Sequence, residues 1–139
     1  MNMKTKIFTL LLITSAILAF SSCEKTKASN FDYPLEDLYG IWDATHIYLE
    51  DSKKWQDITL PGFEKLAISI RFNEDGTYYG DGYFGRGNGT YMTNGSTIVT
   101  YIDGEEYARY DVISLNDKTA ELTMIMGTST IKIRAIKEY

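Results

Sequence analysis

A chain of 139 residues has room for one compact domain, because domains usually run from roughly 50 to 200 residues. Hydrophobic residues at 44% and charged residues at 24% exclude collagen-like, wholly disordered and multi-span membrane classes. A single Cys excludes an internal disulfide framework, and a formal charge of −5 argues against nucleic acid, whose phosphates reward Lys and Arg. Eleven Tyr and 11 Gly against 2 Pro favour strands and tight turns over helices.

The chain begins with Lys4 and Lys6 and no acid, then runs without charge from Ile7 to Phe20. That is the pattern of a secretory signal: about 14 helical residues reach roughly 21 Å, short of a hydrocarbon core of roughly 30 Å. Phe20-Ser21-Ser22-Cys23 then resembles a bacterial lipobox, with Phe where Leu is usual. The resemblance implies that residues 1–22 are a lipoprotein signal peptide and that Cys23 becomes the lipidated N-terminus. The other reading is cleavage near Ser22 that leaves Cys23 as a free thiol. Loss of Lys4 and Lys6 leaves 12 basic residues against 19 acidic ones, a formal charge of −7. Residues 23–37 are expected to be a lipidated Cys and flexible tether, polar and without periodicity. Residues 38–139 are expected to be the folded domain, held at a bacterial cell envelope, in the outer membrane, through the lipid.

From Leu38 to Leu49 the residues alternate, with Trp42, Ala44, His46 and Tyr48 on one face. Glu50 to Lys65 reads as a long loop with one short ordered piece around Trp55. Strands follow at 66–72, 77–84, 89–93, 97–102, 105–113, 120–126 and 130–136. They are separated by Asp75-Gly76, Gly85 to Asn88, Asn94-Gly95, Asp103-Gly104, Asn116 to Lys118 and Gly127. Eight strands joined by tight turns must lie beside their sequence neighbours, and closure removes both edges of such a meander. The fold class predicted is all-β: an antiparallel eight-stranded up-and-down barrel.

Gly40-Ile41-Trp42 at the head of the first strand resembles the Gly-x-Trp opening of lipocalins. Phe72, Asp75-Gly76-Thr77-Tyr78 and Gly89-Thr90-Tyr91 resemble the small lipocalin-like domains of bacterial lipoproteins. The resemblance implies that Gly40 and Trp42 form the closed base of the barrel, with a basic residue from a late strand, Arg134, packed on the Trp.

With Trp42 inward, alternation points Ala44, His46, Tyr48, Tyr78, Tyr91, Tyr110, Met124 and Met126 into the lumen, with Val112, Leu122, Ile131 and Ile133. Two packings satisfy this lining: a cup for a small apolar or amphipathic molecule, or an interior filled by those side chains.

Several patterns look chemical and have simpler readings. Gly80-Asp81-Gly82-Tyr83-Phe84-Gly85 spells a dinucleotide fingerprint but lies in a Tyr-rich hairpin with no helix to meet a pyrophosphate. The sequons at Asn88 and Asn94 read as turns. His46 is the only His, so neither a metal site nor a catalytic triad has its ligands, and no cofactor is expected. No catalytic residue is assigned. Two functions remain: a lipid-anchored barrel that binds a small amphipathic molecule, or a filled scaffold that meets a protein partner through Trp55 and Phe63 of the 50–65 loop.

Overall fold

The computed structural model describes residues 30–83 and 85–138. Residues 1–22 and Cys23, with the signal and anchor expected there, lie outside them. The folded unit begins at Phe31.

Its described residues form a one-turn helix, α1 (Leu35–Leu38), and nine strands: β1 (Gly40–Leu49), β2 (Lys54–Asp57), β3 (Ile68–Phe72), β4 (Thr77–Gly82), β5 (Gly87–Asn94), β6 (Thr97–Ile102), β7 (Glu105–Leu115), β8 (Thr119–Met126) and β9 (Ser129–Lys137). Every pairing is antiparallel. β3 to β9 follow one another, and β1 pairs with both β3 and β9, which closes an eight-stranded barrel. The ninth strand, β2, extends the sheet beside the far half of β1: β1 pairs with β3 from Gly40 to Asp43 and with β2 from His46 to Leu49. The segment expected to be a long loop therefore holds a hairpin strand centred on Trp55.

The turns obey local chemistry. Asp103 and Gly104 both have positive φ, at 54° and 81°, between the paired Ile102 and Glu105. That is the two-residue geometry whose twist matches antiparallel strands. Asn88-Gly89, expected to turn, instead lies inside β5. Gly89 faces Tyr78 across the ladder, and a Cβ there would meet the Tyr101 carbonyl oxygen. The glycine permits close approach of backbone.

One end of the barrel is closed by residues expected to belong to the tether. Phe31 bridges Gly95, the Asp32 amide donates to the Gly95 carbonyl at 2.8 Å, and the Tyr33 hydroxyl reaches the Ile113 carbonyl at 3.4 Å. α1 presses Leu38 into the core, and Trp42 Nε1 donates to the Leu38 carbonyl at 2.8 Å. The tether expected over 23–37 is thus shortened: its last seven positions, 31–37, are bound to the barrel floor.

The core fills the barrel axis. Phe72 sits 5.1 Å from Tyr91, 5.8 Å from Tyr78 and 5.8 Å from Tyr110 between ring centroids. The Tyr78 and Tyr110 hydroxyls pair at 2.8 Å. Ile70, Ile98, Leu122, Met124 and Ile133 pack around them. Room for these rings comes from the bare inner face of β4 and β5. A Cβ on Gly80 would strike the Tyr78 hydroxyl, and one on Gly87 would strike Ile102. Thr100 is fully buried beside an irregularity in the β6–β7 ladder. Its hydroxyl donates to the Ala108 carbonyl at 2.8 Å and accepts from the Ala108 amide at 3.0 Å. The side chain supplies bonds the bulged ladder lacks.

The hydroxyl pair yields a test by double-mutant cycle. Tyr78→Phe and Tyr110→Phe should each cost about 1–2 kcal/mol, because each strands a buried hydroxyl, and the double variant should cost less than their sum. Additive losses in urea unfolding would show that the two hydroxyls are not coupled.

Candidate functional site

The end opposite α1 carries the β1–β2 turn, residues 58–67, the β4–β5 loop and the turns after β6 and β8. The 58–67 segment folds inward: Ile58 is buried, its amide donates to the Thr45 carbonyl at 2.9 Å, and Phe63 and Leu66 pack against the core. The β4–β5 loop leans across the mouth. A Cβ on Gly85, at φ 117°, would strike the Tyr107 hydroxyl and lie 3.3 Å from Met126 Cε.

Beneath this roof the lumen holds a void of about 10 Å³, lined by Ile68, Ile70, Tyr78, Tyr110, Met124 and Met126 among others. That is space for about one water molecule. Beside the roof lies an open depression of about 400 Å³ formed by Tyr83, Met126, Ser129, Thr130 and Ile131. Met126 belongs to both. A third hollow, about 310 Å³, opens on the barrel wall where β1 parts from β3, and is lined by Asp43, Thr59, Ser69 and Asp81 with apolar neighbours. Arg86 closes on Asp81 at 2.8 Å.

The expected lumen residues separate into two groups. Tyr78, Tyr110 and Met124 are buried inside, Ala44 and Tyr91 pack against the core, and Met126 stands at the mouth. Tyr91 donates to the Asn73 carbonyl at 2.8 Å, which commits its hydroxyl at the closed end. His46 and Tyr48 are corrections. A bulge between Ala44 and His46 adds a residue, so Ile47 turns inward and both neighbours turn out. The inward spacing on β1 is Trp42, Ala44, Ile47, and the aliphatic Ile47 between His46 and Tyr48 was the available sign of it.

Outside the barrel Tyr48 meets the Trp55 ring edge-on at 5.3 Å, Lys132 lies 5.0 Å over Tyr48, and Arg134 lies 4.0 Å over Trp55. Arg134 also binds Glu121 at 3.1 Å. The cation–π contact expected between Arg134 and Trp42 is made by Lys137, 5.1 Å over that ring. β9 buries Ile133 and Ala135, so Arg134 faces solvent while Lys137 falls in the inward phase. A Cβ on Gly40, φ 132°, would lie 3.2 Å from Lys137 Cδ. The glycine of Gly-x-Trp thus leaves space for the lysine stem that crosses the floor. Trp55 is half-buried under Arg134, and Phe63 is turned toward the core.

Burial governs the electrostatics. It pushes the Tyr78 phenol up to about 12, against the partly offsetting Tyr110 hydroxyl, and holds Tyr110 well above its ordinary value. Tyr91 is raised by burial and by Tyr39, Asp75 and Glu74 nearby. Among the described residues, no group of three His, Cys, Asp or Glu converges to hold a metal ion. No known protein family, curated protein or solved structure matches the chain.

Because the buried phenols have folded-state values above their unfolded one, their stability contribution is fully present below pH 10. It declines as pH rises toward about 12, where the unfolded chain gains phenolate first. Absorbance titration should therefore show a class of tyrosines that ionise only with alkaline unfolding. Ionisation of all 11 tyrosines in one step near pH 10 with the fold intact would contradict the filled interior.

Proposed function

We propose that this protein is a non-enzymatic, lipid-anchored binding protein of a bacterial envelope. Its barrel holds a small apolar or amphipathic molecule at the mouth rather than along the axis. The observation that carries the reading is the depression of about 400 Å³ beside the β4–β5 loop. Its volume falls within the roughly 300–1,000 Å³ of small-molecule sites. Met126 and Ile131 offer apolar surface, Tyr83 an aromatic face, and Ser129 and Thr130 hydroxyls. None of these side chains carries charge, which suits a neutral ligand. Deeper insertion would require parting the Tyr78–Tyr110 pair. The anchor rests on Cys23 and the lipobox pattern.

Titration with the neutral amphipath N-phenyl-1-naphthylamine should give saturable fluorescence enhancement. Ile131→Asp, which places charge in the depression, should weaken binding at least about tenfold with the melting transition largely kept. Ser129→Lys should weaken it in the same direction. Enhancement unaffected by either variant, or no enhancement at all, would reject the mouth as the site.

A second reading keeps the filled barrel as a scaffold for a protein partner. It is favoured by the β2 hairpin, whose outer edge has no strand beside it among the described residues, flanked by Leu49 and Leu60 at 39% and 49% exposure. An extended segment of the partner would add to that edge. A photo-crosslinker at Leu60 should then yield one discrete adduct in cells, lost on Trp55→Ala. Absence of any adduct would remove this reading.

A further inference from the structure

Among the described residues, Met126 alone lines both the inner void and the depression at the mouth. It ends β8, and its backbone is paired with Ser129 of β9, so the backbone is held and the side chain is what can turn. Methionine is unbranched, with three rotatable bonds and a polarizable thioether, and it adapts to irregular space better than other apolar side chains. Met126 is half-buried, whereas Ile68, Ile70, Tyr78, Tyr110 and Met124, which surround the void with it, are each no more than 5% exposed. Those five are held by the barrel wall and by one another. Above Met126 the roof presents no side chain at Gly85, where a Cβ would lie 3.3 Å from Met126 Cε.

The void itself has room for about one water molecule. Turning Cγ, Sδ and Cε of Met126 out toward the depression adds the space of those atoms. The result is a passage about one methylene chain wide and roughly four carbons deep. It ends at the Tyr78 and Tyr110 rings, whose paired hydroxyls stay joined. A ring or a forked end meets the five buried side chains and stops outside.

We propose that Met126 is the gate of the mouth site and sets its ligand class, a neutral amphipath with a slender, unbranched alkyl end. The alkyl end passes Met126 into the void, and the polar head stays at the rim with the Ser129 and Thr130 hydroxyls. This inference rests on the mouth as the binding site and adds which end enters and which residue selects it. Each methylene moved from water into the passage tightens binding about threefold to fourfold. The gain ends when the passage is full.

The test is competition against N-phenyl-1-naphthylamine, with the full chain in phosphatidylcholine nanodiscs and empty nanodiscs as reference. 1-Decanol should displace the probe at a concentration at least about tenfold lower than its isomer 8-methyl-1-nonanol, whose far end is forked. Met126→Ala leaves the passage open, so the ratio should fall below about threefold as the forked isomer gains. Met126→Phe, with a ring too broad to fold aside, should lower the ratio by the opposite route, through loss by the straight isomer. In the unsubstituted chain, methyl-carbon spectra of labelled methionine should show the Met126 and Met124 signals shift at saturating 1-decanol. The signal of Met92, 48% exposed on β5, should stay in place. A ratio near one in the unsubstituted chain, the same ratio in both variants, or an unmoved Met124 signal would overturn the gate while leaving the mouth as a site. Absence of any protein-dependent probe fluorescence would reject the mouth, and the gate with it.

Discussion

Four aromatic rings, Phe72, Tyr78, Tyr91 and Tyr110, meet inside a barrel whose eight strands enclose little more than the volume of side chains. Most of the architecture follows from fitting them. The rings come from β3, β4, β5 and β7, and each must reach past the backbone of a neighbour. Gly80 and Gly87 leave the inner face of β4 and β5 bare, and Tyr78, Ile102 and Tyr107 occupy the space, while Gly89 lets the Tyr101 backbone come close. Large residues on some strands are balanced by absent side chains on others. The dense glycine pattern that resembles a nucleotide loop is a packing device.

The same filling decides where chemistry can occur. Two phenol hydroxyls pair across the axis, and among the described residues no buried side-chain polar atom lacks a partner, so the centre offers none to orient a guest. What space remains lies toward the mouth. There the β4–β5 loop leans on Tyr107 and Met126 and leaves a depression beside β8 and β9. The floor is sealed by a different logic. Trp42 is held through its indole N–H to Leu38 and covered by the Lys137 stem that Gly40 allows past. A barrel sealed below and covered by loops above concentrates its adaptable surface in those loops, where binding is commonly found.

Much of this was legible residue by residue. Asn94-Gly95, Asp103-Gly104 and Gly127 demand positive φ, so the hairpins and the order of β5 to β9 follow from local sterics. Lys137 could have been found by extending the two-residue period of Ile131, Ile133 and Ala135 to the end of β9. The bulge after Ala44 was harder. Strict alternation is the default for a strand, and one inserted residue exchanges the faces of His46 and Tyr48 without changing composition. The strand at Trp55 is short and polar, and it forms because β1 outruns β3 and offers it an open ladder.

The sequence by itself determined the all-β class, most of the turns and the alternation that buries one face, because each depends on residues adjacent or nearly adjacent in the chain, while the Gly-x-Trp floor was what the family resemblance implied. Only the tertiary structure decided the register in which β1 closes on β9, that the interior is filled, and that Arg134 serves Trp55 while Lys137 serves Trp42. Those outcomes depend on volumes and registers summed around the whole barrel. Pairing residues as distant as Trp42 and Lys137 is set by how eight strands fit together and not by any local preference.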